Sequence, residues 1–304
     1  MALLKFKKTA NKPKSSNGFS GLLQNFSLEV MPRTAEKIAN FSEILPTNTL
    51  IYIAHIDGTS IDEMVGTAAR LRDEGFKVMP HFPARIIKDK ATLADWIDRY
   101  TSEAGVKQAL LLAGGVDEPT GDFESSMQLL ETELFDKFGF TDLNVAGHPE
   151  GNKDIDLDNT SKNVDMALEW KQEFSERTDA SMGITTQFAF ESKPIFEWAN
   201  RIQASGINLP INVGVAGPAK LQTLIKFAIA CGVGPSLKVL QKRAMDITKL
   251  LLPYDPTDVL NELAIGKPQN PNANISNIHF FPLGGIKANA EWISNNLTKK
   301  IMSA

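Results

Sequence analysis

Eight short apolar runs at β/α spacing, helical patterns between them, and polar residues gathered at the run ends predict an α/β fold, a (β/α)8 TIM barrel with extra helices between strands 7 and 8. The runs are Ser27–Val30, Leu50–Ala54, Phe76–Met79, Gln108–Leu112, Leu143–Gly147, Gly183–Phe188, Leu209–Val215 and Ile278–Phe281. Glu29, His55, His81, His148 and Gln187 lie within or just past run ends, where a parallel barrel assembles its chemistry.

Each inter-run stretch has its own justification. A helical pattern follows Thr34 through Ile44, and a longer one spans Ser60 to Glu74, with Ile61, Met64, Val65, Ala68 and Leu71 on one face and Gly75 as the stop. Further helices read near Ala91–Glu103, Phe123–Phe138, Ser161–Arg177, Lys193–Ala204 and Pro218–Cys231. Alternation of this kind requires crossover helices on a parallel sheet. The insertion before the eighth run holds helices at about Pro235–Leu252 and Thr257–Ile265, then a loop rich in Pro and Asn from Lys267 to Asn274. A helix at about Lys287–Lys299 closes the count. Residues 1–20, with Lys5, Lys7, Lys8, Lys12 and Lys14, read as a flexible basic tail ahead of one catalytic domain over 21–304.

Composition narrows the function classes. Apolar content of 42% and charged content of 22% in 304 residues describe one large packed core. A net charge of -4 exerts no general pull on nucleic acid, and no aromatic-plus-basic stripe is present. The one cysteine, Cys231, excludes an intrachain disulfide and reads as a core thiol at an apolar helix end. No run approaches the roughly 18 apolar residues of a membrane span, so the expectation is a cytoplasmic protein acting on small molecules without nucleic-acid or membrane partners.

Glu29 sits inside an apolar strand, where desolvation raises a carboxyl pKa and suits it to general-acid work; the plainer reading pairs it with Arg33. His55, His81 and His148 converge on the mouth from strands 2, 3 and 5. They can bind a ligand or join Asp57 and Glu150 around a metal, though no HxH or HExxH spacing supports the latter, and no metal site is expected. His279, between Ile278 and Phe280, reads as structural. Gln187 offers both donors and an acceptor to a pterin-like edge, or ties two loops together. Phe188 and Phe190 are suited to stacking on a flat ring or to core packing. Gly114-Gly115 and Gly284-Gly285 permit close backbone approach, and Pro218, after Gly214 and Gly217, opens a helix whose N-terminus suits a phosphate. Arg85 and Lys220, near loop starts, are placed to hold a phosphate but read first as solvated surface charges.

Taken together, Ser27-Leu28-Glu29-Val30-Met31-Pro32-Arg33-Thr34, Pro80-His81, Ala146-Gly147-His148-Pro149-Glu150, Ile184-Thr185-Thr186-Gln187-Phe188 and Ile278-His279-Phe280-Phe281-Pro282-Leu283 resemble the methylenetetrahydrofolate reductase family, in family order. The resemblance implies NAD(P)H-dependent reduction of 5,10-methylenetetrahydrofolate to 5-methyltetrahydrofolate, a step of one-carbon metabolism that feeds methionine biosynthesis. It assigns Glu29 as the acid that opens the methylene bridge. Gln187, Phe188, Phe281, Gly115 and Asp117 fall on the substrate side, and His55, His81, Gly114, His148 and Gln187 on the cofactor side.

The chain departs from the family at informative places. Leu112-Ala113-Gly114-Gly115 stands where Leu-Arg-Gly-Asp is usual, with Asp117 nearby; Ala54-His55 replaces Thr-Tyr, and His148 replaces a Tyr. Gln172 and Glu173 align with cations that hold the FAD diphosphate, leaving Lys171 as the local cation. Charge-assisted hydrogen bonds are worth about 1.5–3 kcal/mol each, so the expectation is a divergent reductase in which NAD(P)H passes hydride directly and FAD is weakly held or absent. A metal-dependent barrel hydrolase and a folate-binding module without reductase activity are the alternatives.

Overall fold

A computed structural model describes residues 18–158, 160–232, 234–245 and 253–298. Eight parallel strands close into a barrel in sequence order. They are β1 (Ser27–Val30), β2 (Leu50–Ile53), β3 (Lys77–Pro83), β4 (Gln108–Leu112), β5 (Asp142–Gly147), β6 (Ser181–Ala189), β7 (Ile211–Ala216) and β8 (Ile275–Phe281). The helices are α1 (Pro32–Ala35), α2 (Ile61–Asp73), α3 (Lys90–Ala104), α4 (Ser126–Glu131), α5 (Leu134–Lys137), α6 (Lys162–Ser175), α7 (Ser192–Ala204), α8 (Leu221–Ala230), α9 (Gly234–Met245), α10 (Thr257–Gly266) and α11 (Ile286–Thr298). Closure is direct: Ser27 of β1 pairs with His279 of β8.

The predicted barrel is therefore present, with α9 and α10 as the insertion before β8. Four local readings change. The Thr34–Ile44 pattern yields only α1 and a 3-10 turn at Phe41–Glu43, because the Asn40 side chain accepts from the Ser42 backbone and hydroxyl and caps a new turn. The Phe123–Phe138 helix is two pieces, broken at Glu133, whose φ of 57° is left-handed. Strand β3 runs through Pro80 to Pro83 rather than stopping at Met79. Pairing to β2 ends at Pro80 and pairing to β4 begins at His81, so the missing proline N–H falls where the strand changes partners. Helix α8 begins at Leu221, not Pro218, because Ala219 and Tyr254 exchange backbone hydrogen bonds of 3.1 and 3.0 Å that hold the chain extended.

The main core lies between strands and helices, as in Leu28, Ile51, Phe82, Leu111 and Val213. Phe19 is fully buried and stacks on Trp292 at 5.8 Å, so the packed body begins two residues before the boundary drawn at residue 21. The remainder of the expected tail, residues 1–17, lies outside the described residues, as do Lys299 and residues 246–252 of the two helices assigned there.

Inside the barrel the fill is divided. Leu50, Tyr52, Met79, Leu110 and Leu112 of β2–β4 make an apolar side. Asn144, Thr185, Asn212 and Asn277 of β5–β8 make a polar one, bonded side chain to side chain. Barrel interiors are ordinarily filled by bulky branched residues, so this polar band marks the part of the fold committed to the mouth above it.

Candidate active site at the barrel mouth

Strand alternation turns Ser27 and Glu29 inward while Leu28 and Val30 face the helices. Glu29 is the upper of the two, with its side chain 22% exposed. His81 of β3 and His279 of β8 reach it from either side: their Nε2 atoms lie 3.3 and 3.9 Å from Glu29 Oε2. The Ser27 hydroxyl lies 2.8 Å from His279 Nδ1. Because the other ring nitrogen lies on the carboxylate side, the consistent assignment has Ser27 donating to Nδ1 and the imidazole proton on Nε2, nearest Glu29.

This cluster corrects two expectations. Glu29 does not pair with Arg33, whose guanidinium lies 4.0 Å from Met31 Sδ. Its pKa is not raised: burial pushes it up, but His279 and His81 outweigh that and hold it down at about 2. In the free protein Glu29 is thus a carboxylate embraced by two imidazoles. His279, read as structural, is part of this centre; burial pushes its pKa down against the opposing pull of Glu29.

Gln187 owes its position to a bulge. The β6–β7 register slips between Thr185 and Phe188, and the Gly214 amide donates to Thr186 Oγ1 at 2.8 Å. A Cβ on Gly214 would lie 2.4 Å from the Thr186 carbonyl oxygen, so glycine here admits neighbouring backbone rather than a ligand. The bulge lifts Gln187 from the ladder. Its amide donates to the Cys231 carbonyl at 3.2 Å, and His148 lies beside it. Ser236 donates to the Glu150 carboxylate through backbone and hydroxyl, at 2.9 and 2.7 Å, so the start of α9 is tied to the loop after β5, as the end of α8 is tied to β6 through Gln187. Burial raises the Cys231 thiol pKa, with Glu29 close enough to raise it further.

The second buried feature is Lys171. It is 6% exposed on α6, and among the described residues it has no hydrogen bond or ion pair. Side chains on a helix tilt toward its N-terminus, which for α6 is the end nearest the mouth, and Lys171 acts electrostatically on His148. Burial alone pushes Lys171 down to about 8; burial, with Lys171 adding to it, pushes His148 down to about 4. Gln172 and Glu173 behave differently from the alignment. The Gln172 side-chain oxygen Oε1 accepts from the Asn208 backbone N–H at 2.8 Å and Glu173 is exposed, so neither occupies a ligand-facing position. Lys171 is the residue of the three that turns inward.

Other expected residues are placed as follows. His55 is buried, stacks on Trp96 at 4.8 Å and bonds the Thr59 carbonyl through Nε2, holding its own loop. Phe188 is 2% exposed and packs against Phe190 and Phe281, so it shapes the wall rather than presenting a free face. Phe281 is half-buried and stands edge-on to His279 at 4.9 Å. Gly114 adopts φ 104°, a turn conformation packed near Pro83, while Gly115 and Asp117 are exposed in the same loop. Arg85 pins that loop by donating to the Val116 and Glu124 carbonyls, so it is not a free surface charge. Gly217 and Gly284 are filled by Asn289 and by the Pro218 backbone, which makes both packing glycines. No group of three His, Cys, Asp or Glu among the described residues is arranged to hold a metal ion. No helix among them is long and apolar enough to cross a membrane.

No family model matches the chain. Among solved structures it is similar to an uncharacterized protein from Clostridium thermocellum that binds two copies of 5-methyl-5,6,7,8-tetrahydrofolic acid, at 13% identity and a TM-score of 0.56, covering 91% of this chain and 94% of that one. Weaker likenesses are to the carboxyl transferase domain of Rhizobium etli pyruvate carboxylase (9% identity, TM-score 0.42, 89% of this chain and 53% of that one). A mutant tryptophan synthase α-subunit from Pyrococcus furiosus stands at 10% identity and TM-score 0.42, over 91% and 98%. At these identities the likeness is one of fold.

Sequence reasoning missed Ser27, Tyr52 and the polar band of Asn144, Thr185, Asn212 and Asn277. The available signal was period 2: each is an inward position of its strand, and a polar residue there is a departure from barrel composition.

Proposed function

We propose that this protein reduces 5,10-methylenetetrahydrofolate to 5-methyltetrahydrofolate with NAD(P)H as the hydride donor. The observation that carries the reading is Glu29, the acid position of the resemblance, held at the barrel mouth between His81 and His279. The folate ligand of the Clostridium thermocellum protein, which shares the fold, supports a folate in this one.

The chemistry follows from the cluster. A proton passes from it to N10 of the folate, the C–N10 bond breaks with its electron pair staying on N10, and an N5 iminium forms. Hydride from nicotinamide C4 adds to the iminium carbon, giving the N5 methyl group and NAD(P)+. Because Glu29 is ionised when the site is empty, the proton is held by the carboxylate and imidazoles as a coupled unit rather than by an isolated carboxylic acid. The same carboxylate then faces the iminium cation and stabilises it. Gln187 grips a ligand amide or ring edge in place of the Cys231 carbonyl. Lys171, buried without a counter-ion among the described residues, pairs with a phosphate of the donor.

The resemblance also implies a flavin. The loop at Ala113-Gly114-Gly115 offers it no charged side chain, and Lys171 is the single inward cation of α6 among the described residues. That donor set does not match a diphosphate held by several cations, so hydride passes directly from the nicotinamide, and both ligands meet at the mouth in near-attack contact.

The test is NAD(P)H oxidation with and without methylenetetrahydrofolate, on wild type and Glu29→Gln. Folate-dependent oxidation that falls about 100- to 10,000-fold in the variant is expected. Full activity in folded Glu29→Gln would remove Glu29 from the mechanism.

A further inference from the structure

Tyr52 is a fully buried tyrosine directly beneath the Glu29 cluster. It pairs with Glu29 in the β1–β2 register, so its ring enters the barrel next to the carboxylate. From there the side chain crosses the lumen to the opposite strands. The phenol oxygen accepts from Asn144 Nδ2 at 2.6 Å and lies 3.0 Å from Thr185 Oγ1. Strands β2 and β6 stand four apart in a barrel of eight, so Tyr52 is a strut across its diameter.

The ring touches both imidazoles that define the charge state of Glu29. Its centroid is 4.4 Å from that of His279, tilted by 59°, and 6.3 Å from that of His81, nearly perpendicular at 84°. The anchor beyond the phenol is itself braced: Asn144 also donates to Thr185, and Asn277 donates to Asn212, which reaches Thr185 at 3.5 Å. Burial pushes the phenol up to about 12, so at neutral pH it is a hydrogen-bonding post and not an acid.

We propose that Tyr52 is a positioning residue for the Glu29 centre, a strut anchored in the polar band that sets the planes of His279 and His81 and so holds both Nε2 atoms beside the carboxylate. This rests on the reductase reading only for its kinetic consequence; the effect on the histidines is independent of it. The other titratable groups in electrostatic reach are His55 after β2, Asp142 at the start of β5 and Cys231 after α8.

Two variants separate ring from anchor. Tyr52→Phe keeps the ring and removes the phenol; Tyr52→Leu removes the ring. Expected are a kcat lower by about 3- to 10-fold for Tyr52→Phe and about 100-fold for Tyr52→Leu, with KM for the folate within about twofold. The pH midpoint of kcat moves by about 1 unit in Tyr52→Leu, a tenfold change in the proton equilibrium. The second readout is NMR titration of nitrogen-labelled histidines in the full chain, where the His279 midpoint moves in both variants. Should Tyr52→Leu not fold, Thr185→Val removes one anchor and leaves the ring, and the same His279 shift is expected. Unchanged histidine midpoints in folded Tyr52→Phe and Thr185→Val, or a kcat–pH curve superimposable on wild type, would overturn the proposal. A wild type with no reductase activity but with shifted histidines in the variants would sink the function and leave the strut standing.

Discussion

Replacing Lys171 with methionine trades a buried ammonium, without a partner among the described residues, for an apolar side chain of similar length. Burial lowers the Lys171 pKa from 10.5 to about 8. At 1.36 kcal/mol per unit, that depression corresponds to about 3 kcal/mol of folding free energy. The sign follows from proton binding: between pH 8 and 10.5 the unfolded chain holds the lysine proton more tightly than the folded one, so stability rises with pH across that window. At pH 7 the folded protein carries the whole penalty, and above about pH 10.5 it carries none. Lys171→Met is therefore expected to stabilise the protein by about 3 kcal/mol at pH 7 relative to its effect at pH 10.5, roughly 5 °C in Tm. Any packing gain from the methionine is the same at both pH values and cancels in the comparison. The functional counterpart is a KM for NAD(P)H raised about 10- to 100-fold, the equivalent of one charge-assisted hydrogen bond. The assay is urea unfolding at the two pH values, with KM measured on the same preparations. Equal stabilisation at both pH values would refute the uncompensated charge, and an unchanged KM would refute the phosphate contact.

Other consequences are as direct. His148, held down at about 4 by burial, makes stability fall as pH drops from 6.5 to 4; His148→Gln flattens that acid limb by about 3 kcal/mol, read from unfolding curves across the window. Gly214→Ala drives a Cβ into the Thr186 and Gln187 carbonyls, so it lowers stability by about 1–3 kcal/mol and weakens folate binding by displacing Gln187, both accessible to denaturation and ligand titration. The purified protein is expected to show no flavin absorbance near 450 nm; a stoichiometric yellow chromophore would contradict direct transfer.

The barrel was legible because each strand's outward residues form an apolar run and each helix keeps its own stripe. Position at the mouth was legible too: Glu29, His81, His148 and Gln187 lie within or just after their strands, where barrel chemistry gathers. Their charge states were not. An isolated strand carries the desolvation that raises the Glu29 pKa but not the imidazoles arriving from β3 and β8, which reverse it. The aim of Gln187 depends on a bulge made possible by Gly214, a residue of a different strand. Helix phase puts Lys171, and not its neighbours Gln172 and Glu173, on the buried side of α6, which residue types alone do not show. For Glu29 and Gln187 the deciding contact is with a different strand.

The central claim is hydride transfer from the nicotinamide to the folate carbon at the Glu29 centre. Its most direct test supplies NAD(P)H deuterated at the transferring C4 position together with methylenetetrahydrofolate, and reads the product by mass spectrometry. The account predicts 5-methyltetrahydrofolate with one deuterium in its methyl group, and loss of that product in Glu29→Gln. Absence of 5-methyltetrahydrofolate, or a product whose methyl carries solvent hydrogen instead, would contradict it.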